Sequence, residues 1–91
     1  MDESQAKETL RNIARFGTVG TAKHCRKRMK ERNVVMDDIL NVLIWGSAEE
    51  TEKTDSGTWK LAVKGRDMEE DELTCVAELI ASANAVYVTV F

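Results

Sequence analysis

The sequence predicts an α+β fold in which N-terminal helices pack on one face of a four-stranded antiparallel sheet. Two observations carry this expectation. Apolar residues recur at helical spacing as far as Trp45, and after Ser47 the pattern changes to alternation, with short turn-forming links between the apolar runs. Helices first and strands afterwards, with short connections, describe a helical layer laid on an antiparallel sheet.

The first helix is expected over Glu3 to Phe16, where Ala6, Leu10, Ile13 and Ala14 share one face. Gly17 stands where a left-handed C-terminal cap would sit. Gly17 to Gly20 reads as a loop or a brief strand around Val19, after which Thr21 can cap a second helix running to about Arg32. Asn33 can take the positive φ that ends that helix. A third helix is expected from Met36 to Trp45. Asp37 and Asp38 lie in its first turn, where the helix dipole favours them, and Ile39, Leu40, Val42, Leu43 and Ile44 form a wide apolar stripe that Gly46 stops.

Beyond Ser47, Glu49 to Lys53 and Thr58 to Val63 read as a hairpin around Thr54-Asp55-Ser56-Gly57. Leu73 to Ile80 and Ala85 to Phe91 are two further strands joined by Ser82-Ala83-Asn84, and the acidic run Asp67 to Glu72 is an exposed connection. Trp45 and Trp59 read as core or helix–sheet contacts. No internal repeat, low-complexity tract or domain boundary interrupts the chain, so residues 1–91 are read as one domain.

Ninety-one residues, 43% of them hydrophobic and 32% charged, suit a compact soluble fold with a thin core and little room for a deep pocket. No run approaches the ~20 apolar residues of a membrane span, and the first residues lack the order of a signal peptide, so the expected location is cytoplasmic and no membrane partner is expected. Cys25 and Cys75 are expected to be thiols rather than a disulfide. Charge is distributed unevenly: the net charge is −3, yet residues 22–32 sum to +5 and the remainder to −8. One basic helix on an acidic body implies an anionic partner held over a limited patch, with RNA or an acidic protein segment as candidates and long DNA disfavoured.

Within that helix His24, Arg28 and Arg32 recur at every fourth position and so share a face, flanked by Lys23, Lys27 and Glu31. Cations at this spacing repel by a few tenths of a kcal/mol per pair, which an anionic ligand or solvent screening offsets. Cleaving RNA without a metal requires a proton acceptor near the 2′-hydroxyl, a donor for the leaving 5′-oxygen and cations around the phosphate. Histidine can supply a proton transfer near neutral pH, and the planar fork of arginine grips phosphate oxygens. A second proton-transfer group is not implied by spacing, although Glu31 or Tyr87 has suitable chemistry. Lys23 and Lys27 read as RNA contacts; Arg66, after Gly65, reads as a phosphate contact or as a surface partner of the acidic loop. The bland alternative is a solvated charged face. His24, Cys25 and Cys75 are the possible zinc ligands, but adjacent side chains on a helix diverge, so neither metal nor cofactor is expected.

The run Lys23-His24-Cys25-Arg26-Lys27-Arg28-Met29-Lys30-Glu31-Arg32-Asn33-Val34, followed by Asp38-Ile39 and Gly46, resembles the small prokaryotic domain-of-unknown-function family numbered 4258. That family's helix typically reads Lys-His-Ala-x-x-Arg-Met-x-x-Arg-Gly-Ile. Trp59 to Arg66 and Val86 to Phe91 also resemble its strands, so the likeness runs from about Val19 to Phe91 and leaves residues 1–17 outside. The family is grouped with RelE-like toxins. The resemblance therefore implies a RelE-like ribonuclease fold, an antitoxin partner, and an active-site role for His24, Arg28 and Arg32. Cys25 stands for the usual Ala, Asn33 for Gly, and Phe91 for a frequent terminal Tyr. Val35 stands for a Ser or Thr N-cap, which costs the third helix about 1 kcal/mol unless Asp37 substitutes. The leading expectation is a toxin-type, metal-independent endoribonuclease acting on RNA, free or on the ribosome. The alternatives are a non-catalytic RNA- or protein-binding module that uses the same helix, and a purely structural subunit.

Overall fold

The computed structural model describes residues 1–90, and the expectations for Phe91, as the last strand residue and as a substitute for a terminal tyrosine, lie outside the described residues. Eight main elements follow in order: α1 (Glu3–Phe16), β1 (Thr18–Thr21), α2 (Lys23–Arg32), α3 (Met36–Trp45), β2 (Ser47–Lys53), β3 (Trp59–Arg66), β4 (Glu72–Ile80) and β5 (Ala85–Val90). A single 3₁₀ turn at Ala81–Ala83 links β4 to β5.

The α+β class holds, but the sheet has five strands in the order β1-β5-β4-β3-β2 and is mixed rather than four-stranded and antiparallel. The extra strand is Thr18–Thr21, which pairs in parallel with Ala85–Val88 of β5. With one large apolar side chain, Val19, it carries no alternation of its own. Its partner lies at the far end of the sequence.

α1 begins at a capping box: Asp2 accepts from the Gln5 amide at 2.8 Å, and the Gln5 side chain accepts from the Asp2 amide at 2.9 Å. Gly17 does not take the left-handed cap; its φ is −105° and the chain runs directly into β1. Small size is what the position requires, because a Cβ there would lie 2.7 Å from the Asn84 carbonyl oxygen and 2.9 Å from Ile13 Cγ2. Thr21 is likewise not a cap. It ends β1 opposite Val88, and Ala22 precedes α2 with no side-chain cap.

α3 has the expected bounds. Val35 leaves the first-turn amides of α3 without a side-chain cap; Asp38, not Asp37, supplies the reciprocal bond of a capping box, its carboxylate accepting from the Val35 amide at 2.9 Å and also from the Met68 amide at 2.9 Å. The same side chain therefore starts α3 and fastens the β3–β4 loop to it.

Leu61, Val63, Leu73, Cys75, Ala77, Leu79, Val86, Val88 and Val90 point into the core and meet Ala6, Leu10 and Ile13 of α1, Cys25 of α2, and Ile39, Val42 and Leu43 of α3. Strand periodicity sends Lys60, Ala62 and Lys64 of β3, Val76 and Glu78 of β4, and Tyr87 of β5 to the opposite face. Lys64 and Glu72 pair there at 2.6 Å. Trp59 is half-buried against the core as expected, whereas Trp45 is 75% exposed at the end of α3. Among the described residues, no helix is long and apolar enough to cross a membrane.

Candidate functional site

α2 has one fully buried side chain, Cys25, and one half-buried, Met29; Lys23, His24, Arg26, Lys27, Arg28, Lys30, Glu31 and Arg32 are all exposed. So narrow an apolar face cannot hold a ten-residue helix by burial alone. Its C-terminal end is held by a Schellman arrangement, in which the Val34 amide donates to Met29 O at 2.8 Å and the Asn33 amide to Lys30 O at 3.3 Å. Asn33 takes the expected left-handed conformation, with φ 58° and ψ 41°. Val34 follows into the core.

Arg28 provides the other tie. Its Nη1 donates to the Val90 carbonyl at 3.3 Å, drawing the guanidinium over the end of β5. His24 and Arg32 lie one turn to either side, each displaced about 6 Å along the axis. The three expected residues thus share an exposed face, with Lys23 and Lys27 beside them. The N-terminal amides of α2 receive no side-chain cap, and Lys23 and His24 stand in that first turn. An uncapped helix N-terminus and adjacent cations favour an anion at this end.

Arg66 stands apart from this group. It ends β3, two strands away from β5 in the sheet order, and its Nη1 donates to the Glu70 carbonyl at 2.9 Å in the acidic loop. Its own carbonyl accepts from Asn41 Nδ2 at 2.8 Å. Tyr87 also lies elsewhere. It occupies the sheet face opposite Cys75 and Val90, where a Cβ on Gly20 would meet its ring at 3.1 Å. Of the two acid–base candidates, only Glu31 shares the helix with His24.

Cys25 and Cys75 are buried free thiols, and burial, followed by the nearby Cys25, pushes the Cys75 thiol up to about 12. Cys75 therefore packs rather than reacts at neutral pH, and Cys25 is fully buried in the same core. Attention to α2 alone overlooks a second cationic row, Lys7, Arg11 and Arg15 on α1, although it has the same fourfold spacing.

Fold and site together define a small α+β domain that displays a cationic helix across the end of a mixed sheet. The chain belongs to the family described as Domain of unknown function (DUF4258), whose model matches residues 21–91. No curated protein matches the chain. α1 and most of β1 precede the matched segment.

Proposed function

We propose that this domain is a RelE-like, toxin-type endoribonuclease that cleaves RNA without a metal. The observation that carries the reading is the exposed His24–Arg28–Arg32 face beside the uncapped start of α2. In this scheme His24 takes the proton of the 2′-hydroxyl, whose oxygen attacks phosphorus while the bond to the 5′-oxygen breaks. Arg28 and Arg32 bind the non-bridging oxygens as charge grows there. The departing 5′-oxygen takes its proton from water. The products are a 2′,3′-cyclic phosphate and a 5′-hydroxyl. Lys23 and Lys27 hold the flanking backbone by charge. The protein acts in the cytoplasm, and an acidic antitoxin segment lying over α2 silences it.

The test uses purified protein, end-labelled RNA and excess chelator. Wild type yields cyclic-phosphate ends; His24→Ala lowers the rate by about 10²–10⁴-fold, and Arg32→Ala by about 10²-fold or more. If wild type neither cuts RNA nor slows growth when induced, the enzyme reading fails. The place of Tyr87 on the other sheet face favours one alternative, a non-catalytic RNA-binding module. RNA bound but never cut by wild type, with binding lost in Arg28→Ala, would establish that reading instead.

A further inference from the structure

α1 buries Ala6, Leu10, Ile13 and Ala14 and so turns its other side outwards. Lys7, half-buried, and the exposed Arg11 and Arg15 run along the edge of that buried face nearest α3, spaced by four residues and thus by about 6 Å along the axis. Against it lies the C-terminal end of α3, and the two helices enclose an open groove of about 640 Å³. Arg11 Nη2 donates to the Gly46 carbonyl at 3.4 Å, at the C-terminal cap of α3. The Arg15 guanidinium carbon lies 5.7 Å from the ring centroid of Trp45.

Trp45 is the unusual member. The residue is three-quarters exposed, on a helix whose neighbouring Ile39, Val42 and Leu43 are fully buried. Its own burial contributes little to the fold, whereas a flat exposed ring beside cations has the chemistry of a base-stacking platform. Asn12, on the same groove wall, adds hydrogen-bonding groups suited to base edges. Among the described residues, Glu8 is the one carboxylate lining the groove, against three cations.

We infer that the groove between α1 and the end of α3 is a second RNA-contact site, in which Lys7, Arg11 and Arg15 take backbone phosphates of a single strand and Trp45 stacks on a base. The inference rests on the proposed RNA substrate and extends it to a surface built on other elements than α2. An acidic peptide would satisfy the cations but leave the indole plane without a matching group; a single strand uses both. α1 lies outside the segment matched by the family model, while Trp45 lies inside it, so the groove spans the edge of the matched segment.

The test measures binding of a short fluorescein-labelled oligouridylate to full-length His24→Ala protein, which holds the strand uncut. Trp45→Ala weakens binding about tenfold, a loss within the range for one stacked base. Lys7→Glu/Arg11→Glu weakens it at least as much, and the slope of log affinity against log salt falls by about 0.7 for each phosphate that no longer meets a cation. Circular dichroism shows each variant folded; Trp45→Ala melts like the parent, while Lys7→Glu/Arg11→Glu melts somewhat lower because it loses the Arg11 bond to the Gly46 carbonyl. Parent-like affinity in both variants overturns the inference. So does a polyglutamate peptide that displaces the oligouridylate equally well from the parent and from Trp45→Ala, which makes the groove a seat for acidic protein. If wild type fails to cleave RNA but oligouridylate binding still falls in Trp45→Ala, the catalytic reading fails and the groove stands. If wild type cleaves and Trp45→Ala binds and cleaves equally well, the groove fails alone.

Discussion

Replacing Asp38 with alanine removes the acceptor of two backbone amides at once, those of Val35 and Met68, each at 2.9 Å. The first is the N3-to-N-cap bond of a capping box, whose loss costs about 1 kcal/mol. The second is a part-buried amide bonded to a carboxylate; such a bond contributes about 1.5–3 kcal/mol, and the amide is left unpaired in the loop. Together the substitution costs about 2.5–4 kcal/mol, a large share of the ~5–15 kcal/mol that holds a small domain together. At about 4–8 °C per kcal/mol for a chain of this size, melting should fall by at least ~10 °C. Urea unfolding followed by helical circular dichroism at neutral pH measures the loss, with Asp37→Ala as the control. Asp37 sits in the same first turn but is exposed, so its interaction with the helix dipole predicts a loss of about 0.3–1 kcal/mol. Equal losses in the two variants would refute the clasp, because proximity to the dipole would then account for both.

Leu10→Ala should destabilise by about 2–5 kcal/mol in the same assay, since the side chain is 2% exposed; a loss below about 1 kcal/mol would mean that α1 is not seated in the core. Gly46→Ala should cost about 1–3 kcal/mol or more and lower the melting temperature, because a Cβ would press on the Val42 carbonyl and lie 2.8 Å from the Lys64 carbonyl oxygen. Cys75, ordinarily ionising near 9.0, retains its proton in the folded protein to about 12. The unfolded chain therefore releases that proton first, and stability should fall as pH rises between those values, a component that urea titrations of Cys75→Ala should lack.

The helices were legible because their signals are local. α3 could be bounded to the residue from its apolar stripe and Gly46, and Asn33 as a left-handed stop from its side chain alone. β1 was legible only as the brief strand around Val19 that stood as an alternative to a loop; its place in the sheet was not, because it comes from pairing with Ala85 to Val88, which no window of neighbouring residues contains. The same pairing overrode two local signals: Gly17 stays extended to enter the strand, and Thr21 is drawn into it, leaving Ala22 at the helix start. The capping role of Asp38 was hidden because its second partner, Met68, lies across the fold. On the candidate site, spacing found the His24–Arg28–Arg32 face, but tertiary structure was needed to separate Arg66 and Tyr87 from it. Trp45 departs from expectation because an apolar side chain at the end of an apolar stripe looks buried until the helix end is seen to project.

The parallel pairing of β1 with β5 also orders events during synthesis. β5 lies between β1 and β4, and it carries the carbonyl to which Arg28 is tied. The basic helix is synthesised before the strand that seats it, so until β5 follows it has cations but lacks the tie of Arg28 to the Val90 carbonyl. Closing so distant a contact is slow compared with forming local helices. Any action that depends on the set positions of His24, Arg28 and Arg32 therefore begins only once β5 has inserted between β1 and β4.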